Sequence, residues 1–344
     1  MTPRSRKVNA RAWCRVDFAG GTLDIWPLGL LHDGSSTINV AVDCAVDVSL
    51  SADCGGSYVV EQGGEEIREV ELKGLLGRRR TALVGLVAEL YSLEAFRCRI
   101  RSGSPQGGGL GASSALTVAL IRAAELWSGS APRSAAAVMR LARDLEARLM
   151  ALPTGTQDHA AALHGGALEL IYPPGDVVVR GLREVDLERL GDHLLLVYSG
   201  QSHFSAGSNW QVVRRRLDGD REITRCFEGL ADTAREISST LKANDLPSTG
   251  RLMSREWSFR RQLSEGIATP VIEELLGLAT SRGAWGGKAC GAGGGGCIAL
   301  LCPPEVKASL RDLYRSEGYR VIEARPTGRP LRAWMEDPEG REAL

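Results

Sequence analysis

Residues 105–116 read PQGGGLGASSAL. Gly107, Gly108, Gly109 and Gly111 stand around Leu110, and Ala112, Ser113 and Ser114 lead into an apolar run. Glycine lets backbone N–H groups crowd about a ligand. A helix that starts at the serines aims the positive end of its dipole the same way. The group that such a loop suits is a phosphate chain, with the two serine hydroxyls available for phosphate oxygens or magnesium. No lysine follows the last glycine, so this is not a Walker A loop. The third glycine of a dinucleotide fingerprint is also missing.

Two further clusters carry chemistry. WGGKACGAGGGGC, 285–297, contains a G-x-G-x-x-G at 291–296, but a short apolar strand follows it and not a helix. It reads instead as a backbone-lined wall that another loop or a phosphate can approach closely, or as a tight packing turn. Lys288 within it either meets a phosphate or caps the turn. LPTGTQDHAAALHGG, 152–166, breaks at Pro153 and Gly155 and then opens a short helix. Asp158 falls at the start of that helix, where the dipole favours a carboxylate, so taken alone it reads as a cap. His159 and His164 are not spaced as a ligand pair on a helix and are expected to be structural. Arginines gather at 78–80, 214–216 and 260–261; a phosphorylated substrate would need such a group, and Arg260 with Arg261 is the first choice.

The elements that hold these clusters can be read from periodicity. Residues 11–18 and 37–50 alternate as strands, and 57–72 form a hairpin about Gly63–Gly64. A helix over 82–93 and a strand over 95–102 precede the glycine loop. Helices cover 112–127 and 133–150. Strand patterns return at 167–183 and 193–199, and 220–283 is mainly helical with breaks near Pro247 and Pro270. A buried strand at 297–302, a helix opened by Pro303 and Pro304, and a strand at 319–324 complete the order. Strands, then helices, then a β-α-β run give an α+β class with a boundary near 185–200.

The bounds agree with two domains of ordinary size in 344 residues, 43% of them hydrophobic. Lys+Arg and Asp+Glu both number 42, so nucleic acid and anionic membranes are not the expected partners. No apolar run approaches membrane-spanning length, and the first residues lack the apolar stretch of a secretory signal. The eight scattered cysteines make no C-x-x-C pair and fit small buried side chains in a reducing cytoplasm, not a zinc site.

Taken together, the clusters resemble the GHMP kinases, named for galactokinase, homoserine kinase, mevalonate kinase and phosphomevalonate kinase. PQGGGLGASSA fits that family's P-x-x-x-G-L-G-x-S-S-A motif, KACGAGGGG its C-terminal glycine motif, and RVDFAGGTLD, 15–24, its N-terminal substrate motif. The resemblance spans nearly the whole chain. Within the family, GTQDHAAA, GGKACGAGGGG and YSGQSHFSAG, 198–207, look like the branch of D-glycero-D-manno-heptose 7-phosphate kinases. Thr22 and Leu23 depart from the Gly and Thr of that branch, and Cys297 stands where an aromatic is usual.

The resemblance implies a ribosomal-S5-like N-terminal domain, 1–190, and a ferredoxin-like C-terminal domain, 191–344. It implies ATP on residues 107–114 with Gly293 and Gly294 closing from the other side. Asp158 becomes the carboxylate beside the acceptor hydroxyl, and Arg15 its partner facing the transferred group. Asp24 would bind sugar hydroxyls, with Gly21 and Thr22 beside them. Magnesium would take Ser113 and Glu146, with Asp144 competing for the second place. The expected activity is an ATP-dependent sugar-phosphate kinase acting at an anomeric hydroxyl. A free-sugar kinase or a non-catalytic sugar sensor are the alternatives, and the sugar-type segment 15–24 speaks against a decarboxylase of the same fold.

Overall fold

The computed structural model describes residues 6–202, 206–336 and 342–343. Its first half runs β1 (Lys7–Ala19), β2 (Ser36–Ser51), β3 (Tyr58–Gln62), β4 (Glu65–Glu69), α1 (Leu72–Leu76), α2 (Ala82–Leu90), β5 (Arg97–Ser102), α3 (Ala112–Ser128), α4 (Ala135–Met150), α5 (Gln157–His164), β6 (Ala167–Ile171) and β7 (Val178–Gly181). The second half runs α6 (Leu187–His193), β8 (Leu194–Tyr198), α7 (Ala206–Leu217), α8 (Arg221–Lys242), α9 (Leu246–Arg260), α10 (Pro270–Ser281), β9 (Gly286–Ala289), β10 (Cys297–Leu301), α11 (Pro304–Ser316), β11 (Arg320–Ile322), β12 (Arg332–Glu336) and β13 (Glu342–Ala343). The 198–207 stretch lies partly outside the described residues, at 203–205.

Among the described residues nine strands make the first sheet, in the order β13-β12-β1-β2-β5-β3-β4, with β6 attached to β2 and β7 to β6. The hairpin is where the glycine pair placed it, Gln62 opposite Glu65. Strand β1 alternates from Val8 to Phe18. Val8, Ala10, Ala12, Cys14, Val16 and Phe18 enter the core that α2, α3 and α5 cover. Period two therefore puts Trp13, Arg15 and Asp17 together on the opposite face. There Arg15 stands across from Ala41 and Asp17 from Asn39.

The second sheet has the order β11-β8-β10-β9. Its strands LLLVY and CIALL are apolar throughout because both faces are covered. Leu194, Leu196, Cys297, Ala299 and Leu301 join the first core. Leu195, Val197, Ile298 and Leu300 join a second core with Phe227, Leu230, Trp257 and Tyr314. The two sheets thus share one layer of side chains, which fixes the cleft between them. The division expected after residue 190 falls within α6, and the chain crosses back to the first sheet as β12, beside β1.

Candidate active site

The glycine loop ends on Gly111, which takes φ +72° and serves as N-cap of α3 without any side-chain cap. The first N–H groups of α3 are therefore not met by a capping side chain, as an anion site requires. Serine 113 is exposed on the first turn, whereas Ser114 is buried and Leu110 is a core residue. The second glycine cluster packs on this loop by direct backbone contact. Cys297 N–H donates to Gly108 O (2.9 Å), and a Cβ on Gly109 would stand 2.5 Å from Cys290 O. Gly291 and Gly296 also touch the loop, while Gly293 and Gly294, expected to close on ATP, contact Ile267.

Arg15 lies under the loop and joins it to α5. Its Nε and Nη2 both reach Asp158 Oδ1 at 2.7 Å. Its Nη1 donates to Gly109 O, and Leu110 O accepts from its backbone N–H. The Arg15 side chain is buried, while that of Asp158 is a quarter exposed. Burial works against the Arg15 cation, but Asp158 and Asp17 outweigh it and hold the guanidinium above its ordinary value. The pair lies 143 positions apart in sequence, and only the resemblance, not spacing, could have joined it.

Asp24 has a task that sequence reading assigned elsewhere. Its Oδ2 accepts from Thr156 N–H (2.8 Å) and Gln157 N–H (3.1 Å), and its Oδ1 from Thr22 N–H (3.0 Å). The carboxylate that caps α5 is thus Asp24, not Asp158, and it ties the helix to the 20–24 loop. Burial pushes its carboxyl above the usual range, against the bonds from Gln157 and Thr156. Thr22 sits at φ +77°, an uncommon and strained region for a β-branched residue. It is held there by Asp24 on its N–H and by Arg260 on its hydroxyl (3.3 Å). Gly21 adjoins the Gln157 amide. Gln157 Oε1 and Thr156 Oγ1 are buried with no partner.

Glu146 projects from α4 into a polar pocket of its own. It accepts from Thr117 Oγ1 (2.8 Å) and Ser114 Oγ (3.1 Å), with His159 Nε2 at 3.2 Å. Burial would raise its carboxyl; His159 and the two hydroxyls outweigh it and hold the group below the usual range, hence ionised. Asp144, the competing ligand, is exposed and paired with Arg143. The hydroxyl next to Glu146 is that of Ser114, with Ser113 exposed beside it on the first turn of α3. An open hydroxyl and an ionised carboxylate are hard oxygen donors of the kind magnesium takes alongside phosphates and waters.

The arginine expectation fails for a clear reason. Arg260 is buried, with Glu256 at 2.9 Å, Gly21 O at 2.9 Å and Thr22, so its donors are committed to the protein. Arg261 is exposed and paired with Glu273. Lys288 neither meets the loop nor caps the turn: its Nζ is buried against Asp17 Oδ2 (2.5 Å) and lies 3.5 Å from Glu256. Asp17 also accepts from Gly291 N–H (2.7 Å) and lies 3.8 Å from Arg15. Burial opposes its charge, but Lys288, Arg15 and Arg260 keep its carboxyl below the usual range. Sequence reading missed Asp17 and Glu256. The Glu256–Arg260 spacing of four on a helix was an available signal; the Asp17–Lys288 contact had none.

The chain is similar to known proteins in sequence and in fold. Residues 79–166 match the GHMP kinases N terminal domain and 237–317 the GHMP kinases C terminal domain. A D-glycero-alpha-D-manno-heptose 7-phosphate kinase of Campylobacter jejuni is 25% identical over 243 residues, 70% of this chain and 71% of its own. A mevalonate kinase of Methanothermobacter thermautotrophicus is 31% identical over 240 residues, 68% of this chain and 73% of its own. The crystal structure of a D-glycero-D-manno-heptose 1-phosphate kinase from Bacteriodes thetaiotaomicron shares the fold, with a TM-score of 0.73 at 18% identity over 95% of this chain and 98% of that one.

Proposed function

We propose, from the premise that this chain belongs to the GHMP kinases and is thus an ATP-dependent phosphotransferase with a hydroxyl acceptor, that its acceptor is a sugar phosphate of the heptose 7-phosphate type. The observation that carries the phosphotransfer reading is the Arg15–Asp158 pair beside an α3 N-terminus that no side chain caps, and the acceptor class follows the similarity to a heptose 7-phosphate kinase. Phosphoryl transfer asks the protein mainly for positioning and charge stabilisation. Asp158 binds Arg15 through Oδ1, which leaves its partly exposed carboxylate able to orient an acceptor hydroxyl and accept its proton. Arg15 stays charged at every accessible pH and lies between that carboxylate and the loop, where negative charge develops.

Backbone N–H groups of residues 107–114 would cradle the phosphates, with residues 1–190 the donor half and the C-terminal part, apart from β12, closing the cleft. Ser113 and Glu146 would hold magnesium, which when bound neutralises phosphate charge. Gly21, Thr22, Thr156 and Gln157 line the acceptor side, and the two partnerless oxygens of Thr156 and Gln157 suit a ligand rich in hydroxyl groups. Asp24 acts there as the fixed frame of the loop. The eight cysteines are free thiols, which supports a cytoplasmic setting. Among the described residues no helix is long and apolar enough to cross a membrane.

One observation favours a second reading, a free-sugar kinase. The arginines best placed to recognise a substrate phosphate, Arg260 and Arg261, are both paired with carboxylates. An ADP-release screen over free and phosphorylated hexoses and heptoses separates the two. Preference for heptose 7-phosphate supports the first reading, and preference for a free sugar replaces it with the second.

A further inference from the structure

Six charged side chains of alternating sign run through the interior: Asp158, Arg15, Asp17, Lys288, Glu256 and Arg260. All but Asp158 are buried. The run starts on α5, crosses from the first sheet to the second at Asp17–Lys288, and ends where Arg260 holds Gly21 O. Its formal charge sums to zero, so each cation has a carboxylate on either side except at the acceptor-loop end.

Arg15 stands between two carboxylates that compete for it. Asp158 holds it at 2.7 Å and Asp17 lies 3.8 Å away. The competitors differ in solvation: Asp158 is a quarter exposed, whereas Asp17 has no exposure. Water can take over part of the burden at Asp158 but none at Asp17, and an uncompensated buried carboxylate is strongly unfavourable. Asp17 leaves Arg15 to Asp158 because Lys288 already satisfies it at 2.5 Å.

We infer that Lys288 is a positioning residue for phosphoryl transfer, which neutralises Asp17 and thereby keeps the Arg15 guanidinium on Asp158. This rests on the kinase reading above. Removing the ammonium leaves Asp17 with Arg15 as its nearest cation, and the guanidinium swings from Asp158 to Asp17. Removing both charges restores the balance, because Arg15 then has one carboxylate to bind.

The test compares K288M with the double variant D17N/K288M in the full chain, by steady-state kinetics and by crystal structure. K288M should lose about tenfold or more in kcat while KM for ATP stays within about threefold, with Arg15 on Asp17. The double variant should regain at least about threefold of that loss, with Arg15 again on Asp158. A lysine that merely stabilises the fold by neutralising Asp17 can show recovery too, but leaves Arg15 on Asp158 in both variants. Should K288M fail to fold, K288Q makes the same charge change while its amide still donates to Asp17, and the same comparison is read from it. Arg15 still on Asp158 in the single variant, or a double variant as slow as the single, overturns the inference. Should the wild-type chain phosphorylate no acceptor, the proposed function falls, and the position of Arg15 in the crystal structures still decides whether Lys288 places it.

Discussion

Replacement of Gly155 by alanine tests the frame on which Asp158 stands. An added Cβ would lie 1.8 Å from Asp24 Oδ2 and 2.4 Å from its Cγ. An ordinary carbon–oxygen contact is roughly 3.3 Å, so the carboxylate must retreat by about 1.5 Å. That movement breaks its bonds from Thr156 N–H and Gln157 N–H, now 2.8 and 3.1 Å. Charge-assisted bonds contribute about 1.5–3 kcal/mol each, and part of the loss is recovered as the 153–156 turn relaxes, leaving about 3 kcal/mol. For 344 residues the unfolding entropy is about 0.7 kcal/mol per degree, so Tm should fall by about 4 °C. The second residue of α5 is Asp158, and a displacement there of the order of 1 Å costs about tenfold to a hundredfold in kcat. Thermal melts and initial rates are measured for G155A beside G181A, whose added Cβ meets nothing within 4 Å. A G155A protein with the Tm and kcat of the wild type would refute the assignment of Asp24 as the cap of α5.

The remaining predictions concern separate features. Asp158→Asn should retain ATP affinity by calorimetry within about threefold and lose about a thousandfold in kcat; turnover within tenfold of wild type removes Asp158 from the reaction. Gly277 is exposed in the middle of α10 with open space at its Cβ position, so G277A should stabilise by about 0.5–1 kcal/mol, read as a Tm rise of about 1 °C. His32 accepts from Arg216 Nε (3.0 Å), and burial followed by Arg216 pushes it down to about 4. A base depressed on folding contributes stability above its unfolded value of about 6.5 and loses it as the pH falls toward 4. The wild type should therefore lose about 1–2 kcal/mol more than H32Q between pH 7 and pH 4.5 in urea melts, and parallel curves would show that His32 is not the source.

What the sequence reveals is what has a local cause. The glycine loop, the start of α3 and the hairpin at Gly63–Gly64 each follow from backbone freedom at neighbouring residues, and each lies where periodicity put it. The doubly covered strands β8 and β10 were legible as apolar runs for the same reason. Long-range geometry was not. Arg260 reads as a charged residue on an amphipathic helix, and its burial against the 20–24 loop depends on how α9 meets β1. Asp17 gave no signal, because its partner Lys288 lies 271 positions away and on the other sheet. Asp24 was read as a ligand for hydroxyls from the family resemblance, and its hold on α5 had no sequence signal because Thr156 and Gln157 lie more than a hundred positions away. The fold shows that its two oxygens also accept from backbone N–H groups.

The pairing of β12 with β1 bears on the order in which the protein is made. Lys7 and Glu336 face each other 329 positions apart. A chain emerging from the ribosome presents the first stretch of β1 long before the residues that cover its free side exist. Until residues 333 to 335 have been synthesised, Ala10 and Val8 belong to an open sheet edge of the kind that recruits other chains. The strand that bears Arg15 is thus made long before it is enclosed, and a holdase engaging the nascent chain would find its exposed border there.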